Sequence, residues 1–263
     1  MSEIRLFKNG KITVLKYDLK VFYVLYNRMD LYYKNINIKP NITHIKLDVG
    51  LSYGAPISNI WLQNEPNVLV IGFEPNLHSV NNILNKNIVN RHPLHGEPIR
   101  NEYINDRFFI FPIALSNVDT PCEMVFYETH NDVGCSSLLK PIDQRLGPYT
   151  VKSAVPVYSL KHFFDLFPFD RFEYIDYIKI DAQGSDLDIL KGAGNYLKER
   201  VVYITAEPEH EYYENCHNNN TTNIENYLKT QNFIRVYNKN TVDPTFLNIT
   251  FQHLADTIFI YQI

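Results

Sequence analysis

Apolar positions along the chain follow two periods. Ile45, Leu47 and Val49 alternate with polar neighbours. VLVIGF (Val68 to Phe73), RFFIFPIALS (Arg107 to Ser116), YIDYIKID (Tyr174 to Asp181) and VVYITAEPE (Val201 to Glu209) are nearly continuous apolar runs. Runs of that kind predict strands buried on both faces, as in a parallel sheet. Between them the spacing changes to three and four. Leu77, Val80, Ile83 and Leu84 share one helical face, AQGSDLDILKGAGNYLKE opens a helix at Gly184-Ser185 that stops near Gly192 to Gly194, and NIENYLKTQNF is amphipathic. The order predicted is β-α-β-α-β, then a hairpin, then β-α-β-α-β-β. The last two strands are FIRVYN and ADTIFIYQI. The hairpin is CEMVFYE with SAVPVYSL, which leads into the helix KHFFDLF.

Residues 1–40 form a lead-in to a main domain at 41–263. IRLFKNGKITVLKY predicts two strands around Asn9-Gly10, a dipeptide suited to a tight turn, and DLKVFYVLYNRMDLYYKN predicts a helix. The lead-in either packs on the core or caps a ligand pocket. Apolar residues are 45% and charged residues 21% of 263 positions, which supports a sizeable core. A net charge of −4 gives no basic surface for nucleic acid. Neither a secretory leader nor a membrane-length apolar run is present, so the expected address is cytoplasmic, with no membrane partner. Cys122, Cys135 and Cys216 are scattered and odd in number, which fits reduced thiols.

Candidate chemistry concentrates between Thr43 and Asn76. Asp48 ends one strand, Gly50 and Gly54 bracket a turn with Ser52 and Tyr53 between them, and Glu74-Pro75-Asn76 ends the next strand. This D-V-G-L-S-Y-G run lacks the three-glycine spacing that seats a pyrophosphate on a helix N-terminus. A looser glycine turn suits a nucleoside without phosphates and points to S-adenosylmethionine, with Glu74 accepting hydrogen bonds from the ribose hydroxyls. Ala114, Leu115 and Ser116 at a strand mouth leave room for a flat ring, so this is where adenine would lie; a plain structural turn accounts for them nearly as well.

Three segments together resemble the FkbM family of methyltransferases: KLDVGLSYG with IGFEPN, PIALSN with GCSSLL, and IKIDAQGSDLDILKGA. The resemblance implies a class I methyltransferase fold, an α/β Rossmann-like sheet that is mostly parallel, with an antiparallel C-terminal strand and a small inserted β-hairpin. It also implies S-adenosyl-L-methionine as cofactor and O-methylation of a sugar, glycan or small metabolite. Leu51-Ser52 stand where the family has Ala-Asn, and Gln183 and Asp186 stand where it has Glu.

Removing a hydroxyl proton calls for a carboxylate or histidine at the pocket mouth. Asp181 is the first candidate, with Glu207 and His210 beyond the next strand as the second. Asp181 and Gln183 also count among the cofactor-binding positions. For Asp181 the alternative is a cap on the following helix. Asp181 and Glu207 together form a candidate pair for a divalent cation. Tyr212 and Tyr213 are either a stacking surface for a sugar or ordinary packing. Two other functions compete. Ribose 2′-O-methylation of RNA calls for lysines beside Asp181 and Glu207, which the sequence does not display, and a non-catalytic interaction module would retain the fold alone.

Overall fold

The computed structural model describes residues 2–8, 11–17, 38–85, 97–236 and 243–258. Strands β1 (Ser2–Lys8) and β2 (Lys11–Tyr17) pair antiparallel; the turn expected at Asn9-Gly10 lies outside the described residues. The helix expected at 18–35 lies outside the described residues.

The main sheet contains β3 (His44–Val49), β4 (Val68–Phe73), β5 (Phe108–Phe111), β9 (Ile175–Ile180), β10 (Val201–Ala206), β11 (Phe233–Val236) and β12 (Thr245–Asn248). Its order is β11-β12-β10-β9-β3-β4-β5. The five strands from β10 to β5 run parallel, and β12 is antiparallel to both neighbours. This is a mostly parallel mixed α/β sheet. The order reverses between β3 and β9, so a crevice opens at their carboxyl ends, where such sheets bind ligands.

Alternation along each strand divides the core in two. In β4, Leu69, Ile71 and Phe73 face one side with Phe163, Phe164, Leu190 and Leu228. Val68 and Val70 face the other with Trp61, Leu62, Val80 and Ile83. Helices α1 (Pro56–Asn64) and α2 (Leu77–Asn85) cover the second side. Helices α3 (Leu160–Phe164), α4 (Asp186–Lys191), α5 (Tyr196–Arg200) and α6 (Thr221–Thr230) cover the first. The polar positions of β3 do not face water. Lys46 is wholly buried, bonded to Glu65 and lying over the Trp61 and Tyr177 rings, and Asp48 is equally enclosed. Pairing of this kind is what makes a buried charge tolerable.

Two boundaries differ from the sequence expectation. The run from Arg107 to Ser116 is not one strand. It breaks at Pro112, which has no N–H to continue a ladder, and β6 (Ala114–Leu115) leaves for a second sheet. That sheet, ordered β6-β8-β7, pairs β7 (Cys122–Thr129) antiparallel with β8 (Tyr149–Tyr158). Among the described residues the closing antiparallel strand is Thr245–Asn248. Ala255 to Thr257 belong to a 3-10 segment, Ile249–Thr257, and residues 259–263 lie outside the described residues. A four-residue strand after Asp243-Pro244 is too short for its alternation to stand out.

Candidate functional site: a cavity at the carboxyl ends of the strands

Beyond β3 the chain enters the glycine turn. Gly50 adopts φ +81, and a Cβ there would lie 1.9 Å from the Asp181 backbone oxygen, so only glycine fits between the ends of β3 and β9. Ser52 and Ala55 are also left-handed, at φ 53 and 48, a conformation costly for residues with a Cβ. Two carboxylates hold this turn. Asp48 accepts from the Ser58 backbone N–H (3.2 Å) and hydroxyl (2.5 Å), which ties the start of α1 to β3. Glu74 accepts from Leu51 N (3.1 Å) and Asn76 N (2.8 Å). Glu74 is only 6% exposed, and burial pushes its carboxyl up to about 7. Leu51 fits because Gly72 beneath it carries no side chain.

The tips of β9 and β10 form the opposite wall. Asp181 bonds Lys179 Nζ (3.0 Å) and Gln183 Nε2 (2.7 Å), and Gln183 Nε2 also donates to Glu207 (2.8 Å). Burial alone would raise the Asp181 carboxyl. The Lys179 ammonium and hydrogen bonds from Glu207 and Gln183 outweigh it and hold the group below the usual carboxylate range. The Asp181 charge, reinforced by burial, pushes Glu207 well up. At neutral pH this set therefore holds one ammonium, one carboxylate and one protonated acid. Asp186, fully buried, accepts from Ala182 N (3.0 Å) and Glu207 N (2.7 Å), and burial followed by repulsion from Asp181 raises it to about 7.

The loop between β7 and β8 lies over the gap. Val133 N donates to Tyr53 Oη (2.8 Å), Ser137 Oγ donates to the Gln183 carbonyl (2.8 Å), and Tyr213 Oη lies 2.7 Å from the Cys135 carbonyl oxygen. The cavity between these walls is partly open to solvent.

The family comparison agrees with this geometry. A family model for the methyltransferase FkbM domain matches residues 48–235, more than half the chain. The chain belongs to the FkbM methyltransferase family. No curated protein matches it at a significant level.

In this FkbM methyltransferase, Gly50, Ser52, Glu74, Pro75, Ala114, Leu115 and Asp181 all line the cavity. Asp48, Tyr53, Gly54, Asn76, Ser116 and Gln183 stand behind that lining. Gly54 receives Ile99 N, Asn76 caps α2 by accepting from His78 N, and Ser116 N donates to Tyr158 in β8. Glu207 reaches the wall through Gln183. His210 is half-exposed, with Nδ1 at the Pro208 carbonyl oxygen (3.0 Å), away from the lining.

One expectation changes, and packing gives Glu74 and Tyr213 structural roles. A lysine does stand beside Asp181: Lys179 is two residues earlier on the same strand, and its side chain curls forward to Asp181 and the Gly50 carbonyl. Burial would lower its pKa, but the charges of Asp181 and Asp48 raise it, so it remains an ammonium and cannot take up a proton. Glu74 has a structural reason to end a buried strand, since it satisfies backbone N–H groups of the glycine turn. Tyr213 is fully buried, with its hydroxyl 2.9 Å from Gln183 Oε1, and so presents no stacking surface. Among the described residues, no cluster of three or more His, Cys, Asp or Glu is placed to hold a metal ion. Lys179 already supplies positive charge at Asp181.

Proposed function

We propose that this chain transfers a methyl group from S-adenosylmethionine to a hydroxyl of a sugar, glycan or small metabolite, within a class I Rossmann-like arrangement. The observation that carries the reading is the cavity between the glycine turn and Asp181, with a buried carboxylate in one wall and an ionised carboxylate in the other. Ser52 Oγ is buried in the same lining with no hydrogen-bond partner among the described residues. A polar group left so is costly unless a ligand satisfies it.

Glu74 would hold the ribose hydroxyls, using acceptor positions that Leu51 and Asn76 leave open. Ala114 and Leu115 would flank the adenine, and Ser52 would meet the amino-acid end. When bound, S-adenosylmethionine supplies a methyl carbon on a sulfonium, whose bond to sulfur breaks as the bond to oxygen forms. Asp181 faces the same space and receives the hydroxyl proton. With its pKa held down by Lys179 it is a weak base, so alignment of the acceptor supplies much of the acceleration. The RNA reading gains nothing from Lys179, which is buried and permanently charged.

Isothermal titration with S-adenosylmethionine and S-adenosylhomocysteine, then labelled-methyl transfer to a panel of sugars and capped RNA, tests this. Micromolar-range binding with transfer to a sugar hydroxyl is the expected result. Absence of binding removes the proposal, and binding without transfer to any acceptor points to an interaction module.

A further inference from the structure

Gln183 sits where two acidic strand tips meet, in an unusual backbone. Its φ is +51 and that of Gly184 is +90, a left-handed pair that a residue with a Cβ holds only under constraint. The bend turns the side chain inward. One amide nitrogen donates to both Asp181 Oδ1 and Glu207 Oε2, and the amide oxygen meets the Tyr213 hydroxyl. The main-chain oxygen accepts from Ser137 of the covering loop. Of the two carboxyls it bridges, Asp181 alone lines the cavity.

We propose that Gln183 is a positioning residue, an uncharged strut that ties the Asp181 and Glu207 carboxyls together and aims Asp181 into the cavity. The proposal rests on the methyl-transfer reading for its catalytic consequence. Six other charged or titratable groups act on the pair: Lys179 on β9, Asp48 on β3, Asp186 on α4, Asp243 ahead of β12, Tyr213 beyond β10, and Cys135 in the loop between β7 and β8. Lys179 is the cation in that set, and one ionised carboxylate balances it. An amide at position 183 adds two donors and no charge. A carboxylate there would put a third acid within hydrogen-bond reach of the other two, with no additional cation.

Thermal unfolding of wild type, Gln183→Glu and Gln183→Met, without ligand, across roughly pH 5 to 9 reads the charge balance. The new carboxyl of Gln183→Glu takes a raised folded-state pKa, so its contribution is full at low pH and is lost as pH rises. The Tm gap to wild type should widen by about 3–5 °C for each unit by which that pKa is raised. Gln183→Met should lower Tm by a similar amount at every pH. A Gln183→Glu curve parallel to wild type overturns the proposal.

In transfer assays, Gln183→Met and Tyr213→Phe should lower kcat roughly tenfold or more with the KM for S-adenosylmethionine little changed. A raised KM at unchanged kcat overturns the positioning role. If wild type neither binds nor transfers, the methyl-transfer reading fails, and the ligand-free pH comparison still decides whether position 183 requires an uncharged side chain.

Discussion

Glu74 offers the sharpest test of the cofactor pocket, because its protonation and its ligand role are in conflict. Without ligand its carboxyl is buried and titrates at about 7. Ribose hydroxyls donate to the ionised form, so binding favours the carboxylate and releases a proton. At about pH 6, roughly ten of eleven molecules carry that proton. Removing it costs about 1.4 kcal/mol, a factor of about ten in Kd. At about pH 8 the cost is close to zero by the same relation. Affinity for S-adenosylmethionine should therefore rise about tenfold across that window. Titration calorimetry in buffers of differing ionisation enthalpy should show release of up to one proton. Glu74→Gln serves as the control. It keeps the shape, leaves one backbone N–H of the turn without its acceptor, binds more weakly, and loses the pH dependence. A Kd equal at both pH values in wild type, or the same slope in wild type and Glu74→Gln, refutes the reasoning.

Two further outcomes follow from the same geometry. Gly50→Ala should unfold or fail to accumulate, since the new Cβ meets the Asp181 carbonyl at 1.9 Å and φ is +81; a variant with wild-type Tm and binding contradicts that packing. Asp186 has a folded-state pKa of about 7, above its unfolded value, so its contribution is full below the unfolded pKa and disappears as pH rises toward 7. Asp186→Asn should cost about 1–3 kcal/mol in urea unfolding near pH 5 through its lost backbone acceptor, and should flatten the wild-type decline between about pH 4 and 7. An unchanged slope would remove Asp186 as its source.

What was legible in the sequence was local. The β-α alternation, the glycine turn at Gly50, the strand at Cys122–Thr129 and the placing of Asp181 and Glu207 at strand tips are written in runs of adjacent residues. Strand period and turn chemistry act over a few positions. The motif segments that mark the family are equally local, and most residues they nominated do meet at the cavity. What the sequence left open depends on how distant segments pack. Tyr53 receives Val133 from 80 positions away, and Tyr213 reaches Cys135 across 78. Lys46 and Asp48 have the spacing of a solvent-facing strand side and are nonetheless buried by α1. Lys179 looks like one polar residue in an apolar strand until β3 brings Asp48 and Gly50 beside it. Charge state was settled in the same way. Carboxyls that are equivalent in sequence become a strong anion at Asp181 and a neutral acid at Glu207. Burial and one ammonium at close range, both properties of the packed structure, set them apart.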